Sequence, residues 1–578
     1  MRKSGFCEYK FRSMLLSGTF TMAIIYVMLL CDSIIAGLFI GENGVAAINA
    51  ITPVTGITTF FANIISIGTG ILYSRSIGAM NKKHADELFG QGMILNAAVA
   101  LLSFVILWLG KDLYFDINGV SGEIYELASE YYKWTPLCAV FTILNSYIGN
   151  MVYTDGDETC TNISYVLQIA GNIALSLILV RSFGMQGIIW GTIAGNVFGL
   201  MPVLVHFFRK CNTLRFTWHL SIRDILQAIR FSAVDAVIYI CWAIADYVLI
   251  AHVSARYGEI GLISLAVVIS LLEFGVVMDG VGLAIQPLLG TYLGEDNNVM
   301  IKRLMNSARV AAVVEGVIAN LLILLFAKQF CGLFGIKEGA ALEPTVTAVR
   351  IVSLGLIFCS MVSLMTSYYM LIDRVGLAVG VTLIKDGLLY SVLPVAGSLL
   401  LGKTGMWAAF ALSPVLALII AAIFIRWHYG KVRFPGLLVP KHADIVVYDG
   451  VFTPELCSEL SEKVQNTLKE RGFSKKQSMK AALFTEEIGL TIIEKNKDSK
   501  SPVLAEISLL FDEESVLLIE RDAGQVFDIT DPDMKIDGLS SFILSGLMES
   551  HKEKAYQTTT GYNRNMIRLN KHEEGKSD

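Results

Sequence analysis

Residues 187–199, GIIWGTIAGNVFG, place a glycine at every fourth position, and residues 405–417, GMWAAFALSPVLA, repeat this pattern with glycine, alanine and serine. The two stretches are 218 residues apart. Because residues four apart share one face of a helix, each stretch predicts an apolar helix whose small residues allow another helix to approach closely. The duplication predicts a protein with two similar halves. Repeated sets of apolar helices with a path between them are typical of transporters.

Other features recur at nearly the same spacing. The matched pairs, 212 to 218 residues apart, are Asp32 with Asp246, Gly44 with Gly258, Gly78 with Gly290, and Asp155 with Asp373. Chance rarely produces this many matches in one order. We therefore expect a parallel repeat in which each half begins on the same side of the membrane, which requires an even number of spans in each half.

The composition is that of a membrane protein with one additional soluble domain. Of the 578 residues, 54% are hydrophobic and only 17% are charged, whereas soluble domains carry about 25% charged residues. The nine cysteines include no Cys-x-x-Cys pair, so we interpret them as apolar packing residues and expect no metal site. We expect no nucleic-acid partner.

The chain contains about twelve apolar segments of roughly 20 residues, the length that crosses a bilayer as a helix. We predict an all-α polytopic membrane protein of two six-helix repeats, followed by a soluble α/β domain. The predicted boundaries are 1–208 for the N-lobe, 209–223 for a linker, 224–430 for the C-lobe and 442–571 for the soluble domain. Lysine and arginine are concentrated in the loops after spans 2, 6 and 8, which predicts that both termini are cytoplasmic. We expect a multi-pass protein of the plasma membrane, from a bacterium.

Several carboxylates fall inside predicted spans, where an unpaired charge is costly and must face a cavity or a partner. The candidates for ion, proton or substrate binding are Asp32, Asp235, Asp246, Glu273 and Asp279. Asp235 and Asp246 are eleven residues apart and therefore lie about 20° apart on one helix face. Such carboxylates can exchange a proton for an ion or a cationic substrate.

Three further charged residues leave two interpretations open. Lys385 and Asp386 either neutralise each other or contribute to the path, and Glu315 either faces lipid headgroups or lines the cavity. We interpret Gln168, Asn172 and Asn196 as partners in hydrogen bonds between helices.

These features resemble the multidrug and toxic compound extrusion (MATE) family over roughly residues 12–430. The resemblance is carried by six plus six predicted helices, an acid in span 1 before GLFIGENGVAA, the SRSIGAMNKKHADE loop after span 2 and the FGMQGIIWGT start of span 6. It implies two lobes around a central cleft, and export of drugs or toxic organic compounds, often cationic, by antiport with Na⁺ or H⁺. Asp32 matches the position of the family's span-1 acid. Asp246 lies about a turn later than the span-7 acid of some relatives.

The sequence changes character after Arg426 and predicts a soluble domain. Helical patterns cover 454–471 and 475–497, starting at Thr453-Pro454 and at Ser474. The runs VLAEISLLF and SVLLIERD predict two strands joined by a turn at 512–514.

This domain resembles the histidine-kinase-like ATPase fold, closest to the anti-sigma-factor kinases, over about residues 444–570. The resemblance implies nucleotide binding by Glu487, the general base, and by Asp522 and Gly524, which face adenine. Thr491 stands where the family has an asparagine that binds Mg²⁺, and a hydroxyl is a poorer ligand for this ion. We therefore expect ATP binding to be weak or absent and phosphoryl transfer to be absent. Three interpretations remain open: a degenerate domain that binds a cytoplasmic regulatory protein or nothing, a nucleotide-binding domain without catalysis, and an active kinase.

The leading functional hypothesis is a secondary exporter of small organic compounds that needs a coupling ion, Na⁺ or H⁺, and no other cofactor. The first alternative is a flippase for lipid-linked oligosaccharides or lipids, which the same fold supports. The second is a membrane-anchored signalling kinase. The acidic character of the charges within the spans disfavours the flippase, and Thr491 disfavours the kinase.

Overall fold

A computed structural model describes residues 5–118, 122–209, 212–334, 336–430, 432–433, 437–438, 444–498, 503–531, 538–549, 551, 553–557 and 562–571. Most of these residues form long apolar helices, and a small α/β domain follows them. The helices of the first half are α1 Phe6–Phe39, α2 Glu42–Gly78, α3 Lys82–Leu109, α4 Lys111–Asn118, α5 Gly122–Tyr132, α6 Thr135–Thr154 and α7 Glu158–His206.

The second half has the same plan with more interruptions. Its α-helices are α8 Ile222–Glu273, α9 Gly280–Gly294, α10 Asn298–Leu333, α11 Leu342–Ser353, α12 Leu356–Leu371, α13 Val375–Thr382 and α14 Tyr390–Tyr429. A short 3₁₀ helix, Phe274–Asp279, joins α8 to α9, and a π-helix, Leu383–Leu389, joins α13 to α14.

Within the described ranges, eight helices are long and apolar enough to cross a membrane, or nine if the bent pair α11 and α12 counts as one span. Two of these helices are broken by a glycine with positive φ, at Gly184 in α7 and Gly402 in α14. A third glycine with positive φ, Gly258, breaks α8. The structure therefore confirms many apolar helices, and the count of twelve spans stays a prediction.

The backbone turns confirm the internal repeat and correct its register. Residues with positive φ occur in pairs 216 to 218 residues apart: Gly41 with Gly258, Met80 with Asp296, Gly122 with Gly339, Gly156 with Asp373, and Gly184 with Gly402. The left-handed conformation is needed where a chain reverses between helices, and glycine adopts it without a steric penalty. The turn after each first helix is thus conserved in geometry between the halves.

All four matched pairs from the sequence were wrong by this register. The counterpart of Asp373 is Gly156 rather than Asp155. The counterpart of Gly258 is Gly41 rather than Gly44, since these two glycines form equivalent turns. The counterpart of Gly78, the last residue of α2, is Gly294, the last residue of α9, rather than Gly290. Asp246 lies three residues before the position equivalent to Asp32. An offset of three residues is close to one helical turn, which explains why the apolar pattern allowed the shift.

The small residues at every fourth position of 187–199 and 405–417, hereafter the glycine ladders, pack as their spacing predicts. A Cβ atom added to Gly187, Gly191 or Gly195 would lie about 2.4–2.5 Å from backbone atoms of the first part of α7. The same contact recurs in α14, where a Cβ atom on Gly405 would lie 2.4 Å from the carbonyl oxygen of Gly397. Each ladder therefore allows the last two helices of its lobe to touch backbone to backbone.

The soluble domain is a five-stranded antiparallel sheet with helices on one face. Its helices are α15 Pro454–Glu470, α16 Lys475–Lys495 and α17 Leu539–Glu549. Its strands, in the spatial order β3-β4-β5-β7-β6, are β3 Ile445–Val451, β4 Leu504–Phe511, β5 Ser515–Asp522, β6 Lys554–Gln557 and β7 Asn563–Asn570. A separate short pair, β1 Val432–Arg433 and β2 Leu437–Leu438, precedes it.

The predicted helices and strands of this domain are confirmed. Thr453 and Ser474 cap α15 and α16 by accepting hydrogen bonds from the backbone N–H groups of Leu456 and Gln477. Alternate residues of the strands, such as Ile507 and Leu518, enter a buried core with the helices. The assignment to the histidine-kinase-like ATPase fold stays a prediction.

Candidate ion-coupling and substrate sites

The carboxylate of Asp32 lies in the N-lobe within a shell of hydroxyl groups. The Tyr131 hydroxyl of α5 donates to Oδ2 over 2.6 Å, and the Thr192 hydroxyl of α7 lies 2.9 and 3.2 Å from Oδ2 and Oδ1. Among the described ion pairs, none involves Asp32. Since a buried carboxylate is stabilised by a positive charge or a proton, this arrangement can take up either a cation or H⁺.

Amide side chains extend this shell between the two parts of α7. Asn172 donates to the Thr192 hydroxyl over 2.8 Å, and Gln168 donates to Asn196 over 2.9 Å. The predicted interhelical hydrogen bonds are therefore present. The Oδ1 atom of Asn172 is buried and has no hydrogen-bond partner in the described part of the chain. A carbonyl oxygen without a hydrogen-bond partner and a nearby carboxylate together provide oxygen ligands that suit a hard cation such as Na⁺.

In the C-lobe, Asp246 and Glu273 lie close enough to interact electrostatically. Asp246 is half-buried, and its Oδ1 atom is buried without a hydrogen-bond partner in the described ranges. None of the described ion pairs involves either acid. Two neighbouring carboxylates repel each other, so protonation or a bound cation would stabilise them. The side chain of Asp235 lies outside the described part of the structure.

Asp279 belongs to the same lobe and is the last residue of the 3₁₀ helix. Its carboxylate accepts a hydrogen bond from Ser363 over 2.5 Å. The residue is exposed, and its carboxylate lies close enough to Lys385 and Asp386 to interact with them electrostatically. Glu315 accepts hydrogen bonds from Thr19 of α1 over 2.8 Å and from Ser360 over 3.3 Å. The interpretation that Glu315 faces lipid headgroups was therefore wrong.

The π-helix places a cation, Lys385, close to Asp279. Lys385 pairs with Asp386 over 3.0 Å, and Trp242 of α8 donates to the same carboxylate over 3.2 Å. The mutual neutralisation of Lys385 and Asp386 is thus confirmed. A π-helix within a span is a frequent feature of functional sites, because it turns side chains out of the regular helical register.

Sequence inspection singled out the acids and missed most of their partners. Tyr131 and Thr192 are 99 and 160 residues from Asp32 in the chain, so no local pattern joins them. Thr192 lies within the first glycine ladder. Its hydroxyl group on an otherwise apolar, close-packed helix is the feature of the sequence that could have indicated a polar partner for Asp32.

In the soluble domain, the residues of the resemblance lie together but are already engaged. Asp522 is fully buried and accepts hydrogen bonds from the Gly524 backbone N–H over 2.7 Å and from the Asn563 amide over 3.0 and 3.2 Å. Burial raises the pKa of Asp522 to about 6, against the effect of these donors. Asp522 is thus already hydrogen-bonded within the domain, and its role in binding adenine stays a prediction.

Two residues of α16 that the resemblance assigns to the nucleotide site are also buried. Thr491 is fully buried, and the Glu487 side chain is almost so. Burial also raises the pKa of Glu487. Nucleotide binding by this domain stays a prediction, and we derive no chemical step that uses ATP.

Comparisons with known proteins agree with the architecture of the membrane part. A family model described as MatE matches residues 19–178. No curated protein matches the chain. An outward-facing multidrug resistance MATE family transporter of the MOP superfamily superposes with a TM-score of 0.67 at 20% identity, covering 73% of this chain and 95% of that chain.

Two further solved structures give similar values. A MOP superfamily transporter from Pyrococcus furiosus, whose binding pocket is described as having reverse polarity, has a TM-score of 0.66 at 20% identity over 73% of this chain and 95% of its own. A Vibrio cholerae MATE transporter mutant has a TM-score of 0.66 at 16% identity over 72% of this chain and 95% of its own. Residues 19–178 thus match the MatE family model, and the membrane part of the chain has the fold of MATE transporters.

Proposed function

We propose that the chain is a secondary exporter of the MATE type, which moves small organic compounds, chiefly cations, out of the cell in exchange for Na⁺ or H⁺. The observation that carries this proposal is the carboxylate of Asp32, which is surrounded by hydroxyl and amide groups and is not part of any described ion pair. A site of this kind changes its charge when an ion or proton leaves, and a change of charge is what couples an ion gradient to a conformational change.

The acids of the C-lobe support a cationic substrate. Asp246, Glu273 and Asp279 belong to one lobe, and Lys385 is already paired with Asp386. The net charge of this group is negative, so it attracts an organic cation and repels an anionic lipid headgroup. This charge balance favours the exporter over the flippase.

Alternating access follows from the repeat. Each lobe closes on itself through its glycine ladder, so the lobes can rotate as rigid bodies, with the path opening first on one side and then on the other. The soluble domain lies outside the two lobes, and we expect it to control the rate of export rather than to carry the substrate.

Transport into proteoliposomes tests the proposal directly. The purified chain, with cationic dyes inside or outside, should move dye when a Na⁺ or H⁺ gradient is imposed and should stop when the gradient is collapsed. The Asp32→Asn variant should lose this response, whereas Asp112→Asn, an exposed acid in the first turn of α4, should keep it. Movement of labelled lipid instead of dye would refute the exporter and support the flippase.

A further inference from the structure

The soluble domain uses the bare face of its sheet to contact the membrane part. Along β4, Ala505, Ile507 and Leu509 enter the core of the domain, so Glu506 and Ser508 point to the other face. On the same face β5 presents Arg521, and β7 presents Arg564. The side chains of these two arginines are both 0% exposed, although the described helices of the soluble domain pack on the opposite face of the sheet.

A residue of the C-lobe accounts for this burial. Glu295, the residue that follows α9, forms ion pairs with Arg521 and, over 2.6 Å, with Arg564. The Glu295 side chain is 1% exposed. Arg521 also pairs with Glu506 over 2.6 Å, so the group contains two cations and two anions. Burial alone would lower the pKa of Arg521, but the two carboxylates outweigh it and raise this pKa.

Arg564, the second of these arginines, also contacts the N-lobe. Arg564 donates from Nη1 to the carbonyl oxygen of Ile77 over 2.9 Å and from Nη2 to that of Gly78 over 2.8 Å. These are the last two residues of α2. The exposed carbonyl groups at a helix C-terminus carry partial negative charge and attract a guanidinium. One side chain of the soluble domain therefore holds the ends of α2 and α9 at once.

These two helix ends are equivalent in the repeat, and they are in backbone contact. A Cβ atom on Gly78 would lie 2.3 Å from the carbonyl oxygen of Thr291, and one on Gly294 would lie 2.4 Å from that of Arg75. At the end of the membrane part that touches the soluble domain, hereafter the tail side, the N-lobe and C-lobe are thus closed against each other.

Further contacts surround the central group. Arg303 at the start of α10 pairs with Asp449 of β3 over 3.0 Å and with Glu8 of α1 over 3.4 Å. The rings of Phe6 and Tyr562 meet edge to face with centroids 5.2 Å apart. Both lobes therefore meet the sheet across a buried surface that combines charge pairs with apolar packing.

We propose that the soluble domain is an autoinhibitory latch, in which Arg521 and Arg564 bind Glu295 and the end of α2 and hold the two lobes closed on the tail side. This inference rests on the proposed alternating access, since a protein that opens on this side must first separate α2 from α9. Separation removes a carboxylate or a carbonyl pair from a buried arginine, and a buried charge without its partner is strongly disfavoured. Opening on the tail side therefore requires the domain to release one lobe.

Distances between spin labels test the latch in the full chain. Labels at Lys83, an exposed residue at the start of α3, and at Lys302, exposed at the start of α10, report the separation of the lobes on the tail side. The wild-type chain should give a narrow, short distance. Arg564→Gln and Glu295→Gln should each raise the population with the longer distance roughly tenfold or more, as expected for the loss of at least one charge-assisted hydrogen bond.

Matched variants separate the latch from a general loss of charge. Arg568 lies on the same strand and face as Arg564, but its side chain is 46% exposed, and its contacts, an ion pair with Glu553 over 3.8 Å and a hydrogen bond to Ser515 over 3.2 Å, stay within the soluble domain. Arg568→Gln should keep the wild-type distance, and Arg564→Lys, which retains the charge without the fork of donors, should give an intermediate population. Asp449→Asn, which leaves the arginines in place, should give a smaller increase than Arg564→Gln.

The distance measurement needs no transported compound, so it fails or succeeds independently of the proposed substrate. The latch is overturned if Arg564→Gln and Asp449→Asn, each folded as judged by thermal melting, show the wild-type distance distribution. It is overturned equally if Arg568→Gln opens the tail side as far as Arg564→Gln does.

Discussion

Replacement of Asp32 by asparagine should abolish gradient-driven export and leave the fold intact. The carboxylate accepts hydrogen bonds from Tyr131 over 2.6 Å and from Thr192 over 2.9 Å. A hydrogen bond to a charged group contributes about 1.5–3 kcal/mol and a neutral one about 0.5–1.5 kcal/mol, so the two bonds together weaken by roughly 2–3 kcal/mol. The amide removes the cost of burying a charge at the same time, and the net change in the free energy of unfolding should be smaller.

The effect on the coupling ion should be far larger. A unit charge about 4 Å from a carboxylate gains about 4 kcal/mol at an effective dielectric constant of 20, which corresponds to roughly three orders of magnitude in affinity. Proteoliposomes that contain Asp32→Asn should therefore bind dye but show no uptake driven by Na⁺ or H⁺. Tyr131→Phe, which removes one donor and keeps the charge, should retain part of the activity.

The comparison with Asp112→Asn, at an exposed acid of α4, controls for the loss of a negative charge. Gradient-driven export by Asp32→Asn at a rate near that of the wild type, at equal protein in the membrane, would show that the carboxylate does not couple the ion.

Three further predictions follow from the other sites. Asp246→Asn should slow export of cationic dyes by a smaller factor than Asp32→Asn, because Glu273 remains beside it to hold negative charge; an unchanged rate and unchanged KM for dye would exclude Asp246 from the path. Cysteines at Lys82 and Lys476 should resist a membrane-impermeant thiol reagent in intact cells and a cysteine at Asn118 should react, and labelling at Lys82 without permeabilisation would reverse the proposed orientation. The full chain should bind ATP weakly or not at all, because Asp522 is already bonded within the domain; any binding should be lost in Asp522→Asn, and EDTA should not affect it because Thr491 is a poor ligand for Mg²⁺, so tight Mg²⁺-dependent binding would refute this.

Periodicity in the sequence predicted the large-scale plan of the protein. The recurrence of small residues at 187–199 and 405–417 indicated two related halves, and the glycines pack against the neighbouring helix as their spacing requires. In the soluble domain, the capping residues Thr453 and Ser474 and the run 515–522 gave element boundaries within a residue or two of those observed. Such features are local, because caps, turns and periodic faces act over a few residues.

The register of the repeat was less well determined. An apolar helix tolerates a shift of three residues with little change to its buried face, so Asp246 was matched to Asp32 and Gly258 to Gly44. The positive φ angles of Gly41 and Gly258 fix the true alignment, since a turn occupies one position only. The sequence also did not predict which side chains surround Asp32, because Tyr131 and Thr192 contact it from helices that are distant along the chain.

By itself, then, the sequence predicted the apolar helices, the internal repeat, the acids within those helices and the strands of the soluble domain. Only the tertiary structure decided how the soluble domain meets the lobes. Glu295 appears as one acid among several in a polar loop, and Arg521 follows it by 226 residues. Nothing local marks their pairing, because a buried charge is stabilised by whichever opposite charge the fold brings within a few ångströms, irrespective of its distance along the chain.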